Sequence, residues 1–373
     1  MTRRLLLLIN SLEGGGAEKV MATLATHLAQ SGPECELRLA LLDDLPIAYP
    51  LPPSVTLVQL DSRGGFRRSI SEVRRLVAGW QPDIVLSFLT RANCAAVLSR
   101  GTGNFRCVIS ERVHTTSHLG DGLRARVLRG VLKVLYPRAD AVIAVSQGVA
   151  DELVRRYGVN TSRLHVIPNP VNVDRMRTRG VEAPEISLPD DFFVSVGRLV
   201  PNKGGETLLR AFAAQSNTLR ALVMLGEGPE RARLTALADS LGLHDRVQMP
   251  GYVSNPQAVV ARATAYVSAS RSEGFPNALV EAMALGRPVV STDCASGPSE
   301  ILAERPEGTV TALEYARWGL LVPVDRPAAL AAALDVFDDP DVRATYGARA
   351  AQRVNPPYSS KAEGIGCVRL KAL

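Results

Sequence analysis

Short apolar runs alternate with amphipathic stretches along most of the chain. Residues 5–9 read Leu-Leu-Leu-Leu-Ile with no polar interruption, the pattern of a strand buried on both faces. Similar runs stand at 37–42, 84–88, 107–110 and 141–145, and a second series starts at 192–196 and includes 265–268. Helical periodicity fills the intervals, beginning with a stretch that runs to Gln30 and stops at Ser31-Gly32-Pro33. Alternating strands and helices predict parallel, doubly wound sheets. The turn-rich Ile167-Pro168-Asn169-Pro170-Val171-Asn172-Val173-Asp174, followed by polar residues, separates the two series. The expected domains are therefore 1–168 and 191–354, with a linker at 169–190 and an atypical tail at 355–373. In that tail Asn355-Pro356-Pro357 breaks any helix.

A length of 373 residues fits two ordinary domains, and an apolar fraction of 46% with 21% charge supports large cores over disorder. Five cysteines, Cys35, Cys94, Cys107, Cys294 and Cys367, show no short paired spacing. They read as reduced, buried thiols of a cytoplasmic protein. Met1-Thr2-Arg3-Arg4 before the first apolar run imitates a leader, but Asn10 follows directly without a small-residue cleavage site. No stretch has the length of a membrane-spanning helix.

The net charge of +6 is uneven: residues 1–185 carry +7 and the remainder −1. The arginines are not interleaved with aromatics and no nucleic-acid motif is present, so the expected anionic partner of the first domain is a membrane surface, not nucleic acid. Residues 122–138, GLRARVLRGVLKVLYPR, place Leu123, Val127, Leu128, Val131, Leu132, Val134 and Leu135 on one apolar side. That pattern fits either a core helix with a solvated basic face or an interfacial helix on anionic lipid.

Candidate chemistry gathers at the predicted strand ends. After the first strand, Gly14-Gly15-Gly16 runs into Ala17-Glu18-Lys19, so the third glycine of a dinucleotide fingerprint is missing. An oxidoreductase would also need an acid after the second strand, where Asp43 could serve. After the strand at 192–196, Gly197 permits close backbone approach, and Arg198 and Lys203 can neutralise a diphosphate without a metal. The longest signal is Ser272-Glu273-Gly274-Phe275-Pro276-Asn277-Ala278-Leu279-Val280-Glu281. It predicts a loop and then a helix from Ala278 to Leu285, capped by Ser272 or Asn277 and ended at Gly286. Glu273 precedes the helix and Glu281 lies one turn inside it, so two acceptor carboxylates flank a helix start suited to phosphate. A nucleotide sugar has that arrangement of hydroxyls around phosphate. Asp339-Pro340-Asp341 contains an Asp-x-Asp, but its place between helical stretches makes Asp341 a helix cap and not a metal ligand.

The pair of glutamates eight residues apart around Gly-Phe-Pro resembles the signature of the retaining GT-B glycosyltransferases of family 4. The resemblance extends over residues 5 to 350. It implies two Rossmann-like domains facing a cleft and transfer of a hexose or N-acetylhexosamine from a nucleotide sugar, UDP favoured. The acceptor would be a glycan or lipid-linked glycan of bacterial surface polysaccharide synthesis. Arg198 and Lys203 would stabilise the leaving diphosphate, Glu273 would bind sugar hydroxyls at the reacting carbon, and Glu281 the ribose. Gly15, Gly16, Gly197, Gly251, Val253, Gly274, Phe275, Pro276, Asn277 and Ala278 would line the donor, with no cofactor or metal. Many relatives carry a histidine at the end of the fourth of these strands. This chain has Glu111 and Arg112 there, with His114 just beyond, so these three are the acceptor-side candidates and His114 reads equally as a solvated loop residue. The expected location is cytoplasmic and peripheral on the inner face of the plasma membrane. Two alternatives are a non-catalytic nucleotide-sugar-binding or membrane-associated module of the same fold and an NAD-dependent oxidoreductase.

Overall fold

The computed structural model describes residues 3–30, 35–120, 122–305, 308–354 and 358. The tail expected at 355–373 lies outside these residues except for Tyr358, as does Cys367. Two compact units divide the chain between Asn169 and Pro170.

In the first unit, strands β1 (Arg3–Ile9), β2 (Cys35–Leu41), β3 (Thr56–Gln59), β4 (Ile84–Phe88), β5 (Arg106–Glu111), β6 (Ala141–Ala144) and β7 (Leu164–Val166) form one sheet. Its order is β3-β2-β1-β4-β5-β6-β7, and every pairing is parallel. The apolar runs make these strands because residues such as Leu7, Ile9, Leu39 and Leu86 are buried between the sheet and its helices. Helices α1 (Gly16–Gln30), α2 (Phe66–Trp80), α3 (Thr90–Leu98), α4 (Thr115–Leu119), α5 (Leu123–Leu135) and α6 (Gln147–Tyr157) connect them. The short β3 and β7 carry too few apolar residues to stand out as runs.

The second unit opens with α7 (Val173–Val181), inside the segment expected as a linker, where Gly180 packs against Leu285 and Ala261. Asn172 caps it through its side chain, accepting from the Arg175 amide at 2.8 Å. Strands β8 (Phe192–Val196), β9 (Ala221–Leu225), β10 (Val247–Gly251), β11 (Ala265–Ser268), β12 (Val289–Thr292), β13 (Glu314–Tyr315) and β14 (Leu320–Val322) form the second sheet. Its order is β10-β9-β8-β11-β12-β14-β13, antiparallel only between β13 and β14. Helices α8 (Gly205–Ala214), α9 (Arg231–Ser240), α10 (Pro256–Val260), α11 (Asn277–Ala284), α12 (Pro298–Leu302), α13 (Pro327–Val336) and α14 (Pro340–Val354) cover it. Asp339, not Asp341, caps α14, accepting from the Asp341 amide at 2.8 Å. Pro340 takes the first helical position, which puts the cap one residue before it.

The order of each sheet reverses once, between β1 and β4 and between β8 and β11. In doubly wound sheets ligands bind at the carboxyl ends beside such a reversal. Among the described residues no helix is long and apolar enough to cross a membrane.

Candidate active site

The reversal in the second sheet brings the loops after β8 and β11 together. Gly204 (φ +65°) is pressed against the Ala269 carbonyl, so that only glycine fits there. The Arg271 amide donates to the Asn202 carbonyl at 2.8 Å, stitching the loops. Their charged residues meet as a result: Lys203 Nζ lies 2.5 Å from Glu273 Oε1. Ser270 Oγ donates to the same oxygen at 2.7 Å, and Ser296 Oγ donates to the Glu273 carbonyl at 2.5 Å. Arg198 is exposed, and its side chain has no hydrogen bond or ion pair among the described residues. One cation is thus held against a carboxylate and the other is free to meet an anion. Gly197 lies beneath the Lys203 side chain, and Gly226 after β9 is pressed against the Gly197 carbonyl.

Helix α11 begins at Asn277 with Pro276 at its cap position and no side-chain cap. Neither Ser272 nor Asn277 therefore caps it: Pro276 fixes the entry backbone, and the Asn277 amide turns back to the Phe275 carbonyl at 3.0 Å. The Ala278 amide has no partner among the described residues, so a donor stays available at the positive end of the helix. Leu285 and Gly286 (φ +69°) end the helix. Glu281 lies one turn in and is half-buried, accepting from Gln257 Nε2 at 3.3 Å. Gly274, Phe275 and Pro276 are buried, and Phe275 packs on the Tyr358 ring at 5.6 Å. Gly251 (φ +89°) and buried Val253 flank Tyr252, which is 68% exposed.

In the first unit Gly15 and Gly16 form the turn into α1, with the Glu18 carboxylate folded over Gly15 and the Tyr49 hydroxyl donating to the Gly15 carbonyl at 3.3 Å. Glu111, at the end of β5, is fully buried and hydrogen-bonded to Tyr136 and Thr90. Burial pushes its carboxyl up to about 7, against the opposing pull of the Tyr136 hydrogen bond. It faces the interior of the first unit. Arg112 lies over the Phe88 ring at 4.4 Å and donates to Asn169 and, at 3.3 Å, to Ser110 Oγ. Its burial lowers the guanidinium to about 9, and its Nε has no partner. His114 Nδ1 sits 2.8 Å from Ser117 Oγ and 3.5 Å from Glu152, whose carboxylate also takes the Thr115 and Thr116 amides at the start of α4. These contacts tie all three candidates into the fold of the first unit.

Asp43 accepts from Arg91 Nη1 at 3.1 Å and from the Gly64 amide at 2.8 Å. The acid after β2 is already engaged, which removes the remaining support for a dinucleotide ribose site. The described Cys94, Cys107 and Cys294 are buried, and burial pushes each thiol up to about 12. On α5 the apolar residues divide: Leu132 and Leu135 are buried, while Leu123, Val127 and Val134 are 79%, 61% and 53% exposed. The single apolar side expected from periodicity is therefore wrong, since only the Ala125, Leu132 and Leu135 stripe packs inward.

Sequence reading missed Ser270, Ser296 and Gln257 as partners of the two glutamates. Only the spacing of Ser270, three residues before Glu273, could have suggested one of them.

Residues 14–175 match the model of Glycosyltransferase Family 4, and 178–353 match that of Glycosyl transferases group 1. The chain is 30% identical over 365 residues to an N-acetylgalactosamine-N,N'-diacetylbacillosaminyl-diphospho-undecaprenol 4-alpha-N-acetylgalactosaminyltransferase of Campylobacter jejuni, covering 94% of each. It is 27% identical to the lipopolysaccharide core biosynthesis glycosyltransferase LpsD of Rhizobium meliloti, covering 93% of this chain and 92% of that one. In fold it is similar to sucrose-phosphate synthase from Thermosynechococcus elongatus, with TM-score 0.81, 21% identity, and 99% and 98% of the chains covered. Anabaena HepE, solved with UDP and glucose, aligns with TM-score 0.79 at 19% identity over 100% of both. The chain is therefore a GT-B glycosyltransferase and belongs to family 4.

Proposed function

We propose that this glycosyltransferase moves a hexose or N-acetylhexosamine, with retention, from a UDP-sugar to a lipid-linked or glycan acceptor in bacterial surface polysaccharide synthesis. The observation that carries the reading is the convergence of Arg198, Lys203, Glu273 and the start of α11 at one sheet reversal. The donor binds the second unit and the acceptor the first. Arg198 and Lys203 neutralise the departing diphosphate, with the Ala278 amide adding a fixed dipole; two such cations can supply the charge that other transferases draw from a metal. Glu273 holds donor sugar hydroxyls beside the reacting carbon. Glu281 accepts from the ribose hydroxyls, a contact that favours ribose over deoxyribose donors. A diphosphate oxygen takes the acceptor proton on the face the leaving group vacates, which retains the anomeric configuration.

The Campylobacter relative's name gives a diphospho-undecaprenol acceptor, and the HepE structure was solved with UDP. Both support a lipid-linked acceptor and a UDP donor here. A protein serving such an acceptor gains by residing at the bilayer, peripheral on the inner face of the plasma membrane. Exposed Leu123, Val127 and Val134, flanked by exposed Arg124, Arg126 and Lys133 on α5, suit an anionic surface.

Calorimetry tests the ribose assignment. Glu281→Gln should weaken UDP binding, because a ribose contact persists from ground state to transition state. Glu273→Gln should leave UDP binding intact and slow the chemical step. Equal UDP affinity in Glu281→Gln and wild type removes the ribose role. A non-catalytic module would bind UDP and release none from any nucleotide sugar.

A further inference from the structure

The Glu273 carboxylate is gripped by two side chains that differ in kind. Lys203 is half-buried, and the proposed diphosphate role requires its ammonium to turn towards the ligand. Ser270 is 2% exposed and cannot move without disturbing the sheet. Its carbonyl accepts the Thr292 hydroxyl at 2.6 Å, anchoring the residue to the neighbouring strand. Its hydroxyl accepts from Ser268 Oγ at 3.3 Å. The hydroxyls then run in one direction, from Ser268 through Ser270 to Glu273, and each bond polarises the next.

We infer that Ser270 is a positioning residue: it holds Glu273 in place for the donor sugar when Lys203 leaves that carboxylate for the diphosphate. The inference rests on the catalytic role proposed for Glu273. Without Ser270, the carboxylate would follow Lys203 or rotate towards solvent at the moment the sugar needs it. A fixed hydrogen bond to a charged group is the kind of contact whose loss appears in turnover and not in donor affinity.

The test measures kcat and donor KM for Ser270→Ala, Glu273→Ala and the double variant, with UDP calorimetry and melting temperature as folding controls. Reactions are followed over hours at high enzyme concentration so that slow variants remain measurable. Ser270→Ala should lower kcat about tenfold or more, shift donor KM less than about threefold, and bind UDP like wild type. Ser270→Thr, which keeps the hydroxyl, should recover most of the loss. In the Glu273→Ala background Ser270→Ala should have no further effect, because its partner is gone. A wild-type kcat for Ser270→Ala, or an undiminished loss in the double variant, overturns the inference while leaving Glu273 in its role. Full activity of Glu273→Ala overturns the catalytic reading itself, and this inference with it.

Discussion

Lys203 and Arg198 carry the same proposed duty towards the diphosphate but stand in different surroundings, so their alanine variants should separate. Lys203→Ala removes the cation 2.5 Å from Glu273, a carboxylate whose side chain is only 12% exposed. Among the described residues Ser270 is then the remaining side chain on that carboxylate. Leaving a charged, mostly buried group short of a partner costs about 1–3 kcal/mol. The partial exposure of Lys203, 34%, argues for the middle of that range and against the larger cost of breaking a sealed pair. In a domain of this size about 2 kcal/mol lowers the melting temperature by roughly 4–8 °C. Arg198→Ala removes an exposed cation without a protein partner and should melt within about 1–2 °C of wild type. Both variants should lose turnover by roughly a hundredfold or more if each cation stabilises the leaving diphosphate. The assay is a thermal melt of the ligand-free proteins beside UDP release with a turned-over donor. Equal melting of Lys203→Ala and wild type would refute the ion pair, and a large melting loss in Arg198→Ala would refute its isolation.

Further outcomes follow from the same geometry. Glu111 has its folded carboxyl raised to about 7, so the folded state binds the extra proton and stability falls as pH rises from about 4.5 to 7. Glu111→Gln should flatten that dependence, with a denaturation advantage over wild type that is larger at pH 8 than at pH 5. Gly226→Ala places a Cβ against the Gly197 carbonyl at φ +133° and should cost about 2–4 kcal/mol in urea unfolding. Gly242→Ala, at φ +70° in open space, should cost only about 1 kcal/mol. Reversing Arg124, Arg126 and Lys133 to Glu should reduce co-sedimentation with phosphatidylglycerol vesicles at low salt and leave UDP binding unchanged. Sedimentation equal to wild type would remove α5 as the docking element.

Much of the architecture was legible because strands buried on both faces advertise themselves as unbroken apolar runs. Residues 84–88, 192–196 and 265–268 agree with β4, β8 and β11 to the residue. The edge-lying β3 and β7 are only partly buried and gave no such signal. Helix α7 went unseen because Pro168 and Pro170 dominate the reading of a segment whose later residues pack on α10 and α11. In the site, the glutamates and the two cations were visible as residue types at strand ends. The Lys203–Glu273 contact was not, since 70 residues separate them and only the sheet order joins β8 to β11. Glu111 became an acceptor-side candidate because many family 4 relatives carry a histidine at that strand end. Its inward rotation towards Tyr136 depends on α5 and the turn that follows, which no local pattern encodes.

The central claim is that the chain transfers sugar from a UDP-linked donor without a metal. A screen of UDP-, GDP- and ADP-sugars against a lipid-diphosphate acceptor, read as protein-dependent release of nucleoside diphosphate with and without EDTA, tests it most directly. The account predicts UDP release that is unchanged by chelator and lost in Arg198→Ala. Release of GDP or ADP alone, or full inhibition by EDTA reversed by magnesium, would contradict it.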